Sequence, residues 1–318
     1  MATFLVTGAA GFIGLNTVRY LSKEYKVIGV DNFVTAEKSI YSPVLAELEQ
    51  CRDVDFYELD VTDVQKLGTV FKRYRIDYII HLAAIPSVQR SVENPNTVIQ
   101  NNVNATLSVL DWARRDPYLK KLVYAGSSSY YGGRTVRGSE SAPLCRSPYA
   151  ASKAAGELLV NAYFHTYNLP TVILRYFNVF GPYQNPKSTY AAVIPTFISK
   201  VLRNESPTIY GTGEQTRDFT FVENVAAANY LAAISDRQGG TYDVGCGQTT
   251  NLLELLNLVN HLMDRRVEPV FAPLRGGDVQ FSCADITSTQ RDLGYMVGIS
   301  PYEGLSRTIE YYKEALYA

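Results

Sequence analysis

Tyr149 and Lys153 stand four residues apart and could together carry out a proton transfer. Pro148 suits the first turn of a helix, and the residues from Ala150 to Leu159 are good helix formers. The predicted helix would hold both side chains on one face. A nearby ammonium lowers the pKa of a phenol from its usual value of about 10. A tyrosine tuned in this way can take a proton from a hydroxyl group and return it to a ketone.

The pair alone does not establish a reaction, because side chains four residues apart are ordinary neighbours on any helix. As a purely structural pair, Tyr149 and Lys153 would lie half in the core and half on the surface. A run of three serines, Ser127, Ser128 and Ser129, precedes them in the chain. The choice between the two interpretations depends on the elements that position these residues, above all on the beginning of the chain.

The beginning of the chain combines a strand, a glycine-rich loop and a helix. Thr3–Thr7 is a β-branched and aromatic run typical of a buried strand. A helix is predicted from about Phe12 to Ser22, and the glycines around its start are Gly8, Gly11 and Gly14. Glycines permit a tight turn and a close approach of the backbone, and the helix N-terminus offers free N–H groups to a pyrophosphate. The loop alone is weak support, but a strand before it and a helix after it make the prediction of a dinucleotide site strong.

A second strand, Lys26–Val30, ends in Asp31. A carboxylate at this place accepts hydrogen bonds from the hydroxyls of an adenosine ribose and repels a 2′-phosphate, so NAD is favoured over NADP. The alternative interpretation of Asp31 is a turn-forming residue before Asn32.

Strands and helices continue to alternate. Further strands are predicted at Val54–Glu58, Ile76–Ile80, Lys121–Ala125 and Thr171–Arg175, and helices at Val64–Tyr74, Pro95–Arg114 and Pro148–Tyr167. This order predicts a parallel sheet with right-handed crossovers that is covered on both faces. Ligands of such sheets bind at the carboxyl ends of the strands. Polar or small residues follow the strands at those ends, namely Asp60-Val61, His81-Leu82-Ala83-Ala84, the three serines and Asn178.

The character of the chain changes after Asn178. Helices are predicted at Ala191–Arg203, Val222–Ile234, Leu252–Met263 and Tyr302–Leu316, and strands at Pro207–Tyr210, Gly240–Val244 and Val267–Phe271. We therefore predict an α/β fold, a doubly wound parallel sheet of the Rossmann type with a second, smaller α/β substrate lobe. The NAD-binding domain would comprise residues 1–176 plus about 219–244. The nucleotide-sugar-binding lobe would comprise about 177–218 plus 245–318.

The composition excludes several classes of protein. The 318 residues are 46% hydrophobic and 19% charged, as in ordinary globular proteins, and the net charge of -1 gives no general attraction to nucleic acid. We find no run of about 20 apolar residues and therefore expect no membrane span. The four cysteines are scattered without metal-ligand spacing, so we expect no metal and a cytoplasmic protein with free thiols.

These motifs together resemble the extended short-chain dehydrogenase/reductases over essentially the whole chain. The residues that carry the resemblance are Gly8-xx-Gly11-xx-Gly14, Asp31, Asp60, His81-xx-Ala84, Asn102, the serine run and Tyr149-xxx-Lys153. Four later segments resemble the nucleotide-diphosphate-sugar 4-epimerases of that family: Arg175-Tyr176-Phe177-Asn178-Val179-Phe180-Gly181, Ala192-Val193-Ile194-Pro195, Arg217-Asp218 and Arg275-xx-Asp278. The resemblance also implies a homodimer, in which helix Pro95–Arg114 and the Tyr149 helix pair with those of a partner as a four-helix bundle.

The resemblance assigns roles to individual residues. Ser127 would hydrogen-bond the 4-oxygen of the sugar beside the base Tyr149, and Lys153 would hold the nicotinamide ribose. The implied NAD site contains Gly8, Gly11, Phe12, Ile13, Gly14, Asp31, Asn32, Asp60, Val61, Ala83, Asn102, Tyr149 and Lys153. The implied UDP-sugar site contains Ser87, Ser127, Ser128, Ser129, Asn178, Val193, Tyr210, Arg217, Arg275, Asp278 and Ser282. Two arginines suit the charge of two phosphates, although each could be an ordinary surface ion pair.

The reaction follows from residues that the chain lacks. Related 4,6-dehydratases and decarboxylases carry Asp or Glu at the positions of Ser128 and Ser129, where these acids transfer further protons after oxidation at C4. With serine at both positions, oxidation at C4 and reduction from the opposite face remain, which is a 4-epimerisation with NAD regenerated in each turnover. Two alternatives stay open: a nucleotide-sugar 4-ketoreductase or dehydrogenase, and a non-catalytic NAD-binding scaffold.

The preferred sugar is predicted from Ser282. In the resembling family this position flanks the 2-substituent of the sugar, and a tyrosine there excludes an N-acetyl group. A serine leaves room, so UDP-GlcNAc and UDP-GalNAc are predicted, with UDP-Glc and UDP-Gal as a second pair.

Several single residues have ordinary structural interpretations. His81 is predicted to be a satisfied histidine at a strand end, Ser87 can equally cap a helix, and Trp112 can lie in the core or at the dimer surface. An acid/base role of Cys145 would indicate 3,5-epimerisation, whereas a buried structural cysteine is the favoured interpretation.

Overall fold

The computed structural model describes residues 1–134, 142–188, 191–274 and 279–317. The strands are β1 (Thr3–Thr7), β2 (Lys26–Asp31), β3 (Val54–Glu58), β4 (Tyr78–His81), β5 (Lys121–Ser127), β6 (Thr171–Tyr176), β7 (Val179–Phe180), β8 (Thr208–Tyr210), β9 (Thr216–Arg217), β10 (Thr220–Phe221), β11 (Gly240–Val244), β12 (Thr250–Asn251) and β13 (Val270–Ala272). The helices are α1 (Phe12–Leu21), α2 (Lys38–Cys51), α3 (Val64–Arg73), α4 (Val88–Glu93), α5 (Pro95–Ala113), α6 (Pro148–Tyr167), α7 (Val193–Leu202), α8 (Val222–Ile234), α9 (Leu252–Met263), α10 (Thr287–Leu293) and α11 (Pro301–Tyr317). A 3-10 helix, Ser128–Tyr131, follows β5.

Seven parallel strands form the large sheet in the order β11-β6-β5-β4-β1-β2-β3. The strand order reverses between β1 and β4, and helices on both sides of such a reversal leave a crevice at the carboxyl ends of the strands. Strand β11 returns from the second part of the chain to pair with β6. The predicted α/β fold with a doubly wound parallel sheet is confirmed.

Alternate residues of each strand point to opposite faces of the sheet, and each face has its own core. Phe4 and Val6 of β1 pack in a cluster with the apolar residues of α1, α2 and α8. Leu5, between them, packs with those of α3, α5 and α6. Strand β2 shows this directly: Val27 and Ile28 point to opposite faces of the sheet and both are buried. The strand therefore lacks an alternation of apolar and polar residues, as in other parallel sheets.

A third core supports a smaller lobe. Phe197 of α7, Leu256 of α9 and Tyr312 of α11 share this cluster with Phe221 of β10. Three two-stranded sheets, β10-β7, β12-β9 and β13-β8, flank the helices. The chain enters this lobe after the carboxyl end of β6, since Phe180 of β7 belongs to the same cluster.

The sequence did not predict α2, α4 and α10. Helix α2 contains Pro43, a residue that usually ends a helix, while α4 and α10 have only 6 and 7 residues. Such short helices carry too few periodic apolar positions to be recognised. Helix α6, by contrast, has its predicted bounds.

Within the described ranges, no helix combines the length and the apolar character that a membrane crossing needs. The same ranges contain no group of three or more His, Cys, Asp or Glu arranged to hold a metal ion. The cytoplasmic location stays a prediction.

Candidate active site

Two cavities meet at the carboxyl ends of the strands. The first, which we name the glycine-loop cavity, measures about 770 Å³ and is lined by Gly8, Gly11 and Asp31 among others. The second, the serine cavity, measures about 1110 Å³ and is lined by Ser128 and Ser129 and by residues of the smaller lobe. Several residues line both cavities, namely Ser87, Ser127, Tyr149, Tyr176, Asn178, Val179, Ser188, Ala191 and Ala192. A molecule in one cavity would therefore face a molecule in the other across this shared wall.

The backbone of the glycine loop is closely packed. Gly8 has a φ of +72°, and a Cβ on it would lie 2.8 Å from the Ala83 nitrogen. A Cβ on Gly14 would lie 1.9 Å from the Gly8 carbonyl oxygen. Helix α1 begins directly at this loop, without a side-chain cap at Gly11 and without an acidic residue in its first turn. Its first N–H groups have no partners within the helix, so they suit the negative charge of a pyrophosphate.

Asp31 lies at the end of β2 in the wall of the glycine-loop cavity. Its carboxylate accepts hydrogen bonds from the backbone N–H groups of Ala10 at 3.1 Å and Phe33 at 2.7 Å. Burial raises the pKa of this carboxyl, while the backbone hydrogen bonds act in the opposite direction. Asn32 donates to Asp60 at 2.8 Å and thereby fixes a second polar pair in the same wall. The Asp31 carboxylate can accept hydrogen bonds from an adenosine ribose, and the N–H groups at the start of α1 can bind a diphosphate, so the cavity fits both groups.

Most residues of the predicted cofactor site line this one cavity: Gly8, Gly11, Phe12, Ile13, Gly14, Asp31, Asn32, Asp60, Val61, Ala83, Tyr149 and Lys153. Asn102 does not. It is 2% exposed and its amide is engaged with the backbone of Ile85 and, at 2.9 Å, with the Ser152 hydroxyl. The structure thus places Asn102 behind the wall, where it joins α5 to α6, and its contact with NAD stays a prediction.

Tyr149 occupies the first turn of α6. Ser147 caps the helix by accepting a hydrogen bond from the Ala150 N–H at 3.1 Å, and Pro148 holds the first helical position. Ser127, at the end of β5, accepts hydrogen bonds from the Ser129 N–H at 3.2 Å and the Ser129 hydroxyl at 2.8 Å. The start of α6 and the end of β5 therefore present Tyr149 and Ser127 to the same shared wall.

The sequence predicted that Lys153 lowers the pKa of the Tyr149 phenol. In the structure, burial is the largest influence and raises this pKa, while a hydrogen bond with the Ser127 side chain lowers it. The net shift is opposite to the predicted one because the phenol is shielded from water. Tyr149 therefore rests as a neutral phenol at neutral pH. It becomes a base only as far as positive charge stabilises its phenolate.

Lys153 carries a positive charge one turn after Tyr149 on α6. It is 4% exposed, and its ammonium lies 4.6 Å from the centre of the Tyr124 ring. Burial lowers the pKa of Lys153 to about 8, and the charge of Glu157 acts in the opposite direction. The ammonium form therefore persists at neutral pH but begins to lose its proton just above it.

His81, the last residue of β4, is a buried and hydrogen-bonded histidine. The Thr7 hydroxyl is 2.7 Å from its Nδ1, and the Thr106 hydroxyl is 3.3 Å from its Nε2. Burial, followed by the charge of Lys153, lowers the pKa of His81 to about 3, so the ring is neutral. Cys145 lines neither cavity, and burial raises the pKa of its thiol, as expected for an unreactive cysteine.

The serine cavity brings together most of the predicted substrate residues: Ser87, Ser127, Ser128, Ser129, Asn178, Val193, Tyr210, Arg217 and Ser282. Arg275 and Asp278 lie outside the described residues. Ser87 also caps α4, where its Oγ accepts a hydrogen bond from the Arg90 N–H at 3.2 Å, so the capping interpretation is confirmed and its contact with the substrate stays a prediction.

The structure adds lining residues that the sequence did not reveal, among them Arg134, Arg146, Asp243 and Phe281. No motif marks them, because they reach the cavity from separate loops and from strand β11. Burial raises the pKa of Asp243 to about 6. Its carboxylate accepts a hydrogen bond from the Tyr131 hydroxyl at 2.7 Å.

Comparisons with known proteins agree with this geometry. A sequence profile described as the NAD dependent epimerase/dehydratase family matches residues 4–245. A UDP-glucuronate 4-epimerase of Thermodesulfobacterium geofontis is 35% identical over 321 residues, which covers 99% of this chain and 97% of that protein. The crystal structure of a UDP-glucose 4-epimerase of Thermotoga maritima with UDP-glucose superposes with a TM-score of 0.90, 32% identity and 99% coverage of both chains. A UDP-N-acetylglucosamine 4-epimerase of Methanobrevibacter ruminantium, in complex with UDP-N-acetylmuramic acid, gives a TM-score of 0.89, 34% identity and 98% coverage of both chains.

Proposed function

This chain belongs to the NAD-dependent epimerase/dehydratase family, and we propose that it is a UDP-sugar 4-epimerase whose preferred pair is UDP-GlcNAc and UDP-GalNAc. The proposed activity is inferred mainly from the wall that the two cavities share. Ser127 and Tyr149 line both cavities, so they can act on a sugar in the serine cavity that faces NAD in the glycine-loop cavity.

Each residue of the wall has a part in this reaction. Ser127 would hydrogen-bond the 4-oxygen of the sugar, and Tyr149 would take the 4-hydroxyl proton and return it after the sugar has turned. The Lys153 ammonium stabilises the transient phenolate and so offsets the effect of burial on Tyr149. NAD, when bound, supplies the oxidation and the re-reduction of C4.

The serine cavity has the properties that the turning of a sugar demands. A diphosphate can be held by Arg217 and Asn178 while the hexose moves within a cavity of about 1110 Å³. Serines at positions 128 and 129 bind hydroxyls but provide no acid for elimination. Interconversion of the 4-epimers therefore suits this lining better than dehydration.

The acetamido preference is supported by the small side chain of Ser282 in the wall of the serine cavity. A second candidate substrate is UDP-glucuronate. The observation that favours it is the presence of Arg134 and Arg146 in the same wall, since a sugar carboxylate would be attracted to their charge.

The test uses purified protein without added NAD, incubated separately with UDP-GlcNAc, UDP-Glc and UDP-glucuronate. Conversion of UDP-GlcNAc to its 4-epimer as the fastest reaction supports the proposal. Faster conversion of UDP-glucuronate would select the second candidate, and faster conversion of UDP-Glc would defeat the argument from Ser282. Activity that requires continuous NAD(P)H would instead indicate a ketoreductase.

A Ser282→Tyr variant is expected to lose at least about tenfold in kcat/KM for UDP-GlcNAc while kcat/KM for UDP-Glc changes much less. The tyrosine ring would fill the space that an N-acetyl group needs, whereas a 2-hydroxyl needs little. Steady-state kinetics on both substrates measure the effect. Ser282→Ala is the matched control, because it removes the hydroxyl without adding bulk. Equal losses for both substrates in the tyrosine variant would show that Ser282 does not select the sugar.

A Leu158→Glu variant is expected to convert the proposed homodimer to monomers. Leu158 of α6 is 66% exposed and Leu107 of α5 is 41% exposed, so the two adjacent helices present apolar side chains on the surface where a four-helix bundle would form. Light scattering after size-exclusion chromatography gives the mass. Met296, which is 77% exposed in a loop before α11, provides the matched control Met296→Glu. An unchanged dimer in the Leu158 variant would place the interface elsewhere.

A further inference from the structure

Glu157 of α6 and Arg175 of β6 form an ion pair in the interior, with side chains 4% and 3% exposed. The Arg175 Nη2 lies 2.7 Å from the Glu157 Oε2, and its Nε lies 3.1 Å from both carboxylate oxygens. A buried pair of this kind contributes little stability compared with an apolar pair of similar volume. Its place in the fold suggests another reason for its presence.

The pair lies next to the elements that carry the candidate catalytic residues Ser127, Tyr149 and Lys153. Glu157 follows Lys153 by one turn of α6 and Tyr149 by two, so the three side chains share one helix face. Gly126 precedes Ser127, and a Cβ on it would lie 2.7 Å from the Glu157 Oε1. The carboxylate is thus packed against both the helix that carries Lys153 and the strand end that carries Ser127.

Arg175 links Glu157 to residues that line the serine cavity, namely Tyr131 and Asp243. Its Nη1 donates to the Tyr131 hydroxyl at 2.8 Å, and this hydroxyl donates to Asp243. The Arg175 guanidinium also lies 3.6 Å from the centre of the Tyr130 ring. These partners hold Arg175 in place. Burial raises the pKa of the Glu157 carboxyl, whereas the hydrogen bond and the charge of Arg175 act in the opposite direction and favour the carboxylate.

Several titratable groups lie near Lys153: Tyr149 and Glu157 on its own helix, His81 on β4 and Tyr124 on β5. Arg175 on β6 is the ion-pair partner of Glu157. His81 is neutral, and burial raises the pKa of the Tyr124 phenol well above its usual range, so that ring is neutral too. Asp243 lies farther away, beyond Arg175 and Tyr131. The one negative charge found to act on Lys153 among the described residues is that of Glu157.

We propose that Glu157 is a positioning residue whose carboxylate, held in place by Arg175, keeps the buried Lys153 ammonium charged beside Tyr149. The consequence for catalysis rests on the proposed 4-epimerase function, but the effect on Lys153 does not. Without the carboxylate the ammonium is less stabilised, so Lys153 gives up its proton at a lower pH.

The direct test is a pH titration of Lys153 by NMR in protein labelled with ¹³C at lysine Cε, the resonance being assigned by its absence from a Lys153→Met variant. We expect the midpoint in Glu157→Gln to lie about one pH unit below that of the unsubstituted protein. A midpoint that does not move would overturn the proposal.

Glu157→Gln leaves Arg175 buried without its counterion and could fail to fold, so two further variants accompany it. The double variant Glu157→Gln/Arg175→Gln removes both charges, and we expect a downward shift that is smaller than in Glu157→Gln, because the loss of the Arg175 positive charge offsets part of the loss of the carboxylate. Arg175→Lys keeps both charges, so its midpoint should stay within a few tenths of a pH unit even if its melting temperature falls. A purely structural pair would change the melting temperatures and leave all midpoints alike, which would refute the assignment.

Epimerase kinetics provide a second readout. The alkaline limb of the pH profile of kcat should move down with the Lys153 midpoint in Glu157→Gln and in the double variant. If the unsubstituted protein epimerises no UDP-hexose, the proposed function fails, while the titration still decides the role of Glu157.

Discussion

A Tyr149→Phe variant is expected to lose about a thousandfold in kcat for 4-epimerisation while retaining NAD and UDP-sugar binding. The change removes one hydroxyl, and general acid–base groups of this kind contribute about 10²- to 10⁴-fold to a rate. Ser127 and Lys153 would remain in place, so the losses should appear in kcat and much less in the Kd of the UDP-sugar. Product formation by chromatography and binding by calorimetry measure the two quantities.

The matched control is Tyr295→Phe. Tyr295 is a fully buried tyrosine whose hydroxyl donates to the Gly245 carbonyl at 2.9 Å, and it lines neither cavity. Its loss should lower the free energy of unfolding by about 1 kcal/mol and leave kcat nearly unchanged. If Tyr149→Phe behaved like Tyr295→Phe, the non-catalytic scaffold would become the better interpretation.

The sequence was sufficient for the elements whose signals are local. Helix α6 has the bounds predicted for it, because Pro148 favours its first turn and the residues from Ala150 to Leu159 are good helix formers. The parallel sheet followed from the alternation of strands and helices, and the glycine loop followed from the spacing of its glycines between a strand and a helix. Residues at the ends of separate strands met where parallel strands must place them, which explains why most of the predicted cofactor residues line one cavity.

Features that depend on distant contacts and on solvent could not be predicted. Glu157 and Arg175 are 18 residues apart with no motif that joins them, and Asp243, which is linked to Arg175 through the Tyr131 hydroxyl, arrives on a strand from the far part of the chain. The direction of the Tyr149 pKa shift was predicted wrongly because the helix spacing revealed the cation but not the burial of the phenol. Asn102 likewise occurs in the right motif, but its amide is used inside the protein.

A Gly14→Ala variant is expected to lower the free energy of unfolding by about 3 kcal/mol and to abolish retention of NAD through purification. Alanine is ordinarily the better helix former by about 1 kcal/mol, so helix propensity alone predicts the opposite sign. We expect a loss of stability instead, because the added methyl would lie 1.9 Å from the Gly8 carbonyl oxygen and 2.9 Å from the Ala9 Cα. Both are backbone atoms of the glycine loop. Denaturant unfolding and the NAD content of the purified protein measure the two effects. Gly298→Ala is the matched control, since its added methyl would approach only the Asn224 side chain, at 3.7 Å. A Gly14→Ala protein as stable as this control, with NAD still bound, would mean that the loop does not hold the cofactor in the way its packing indicates.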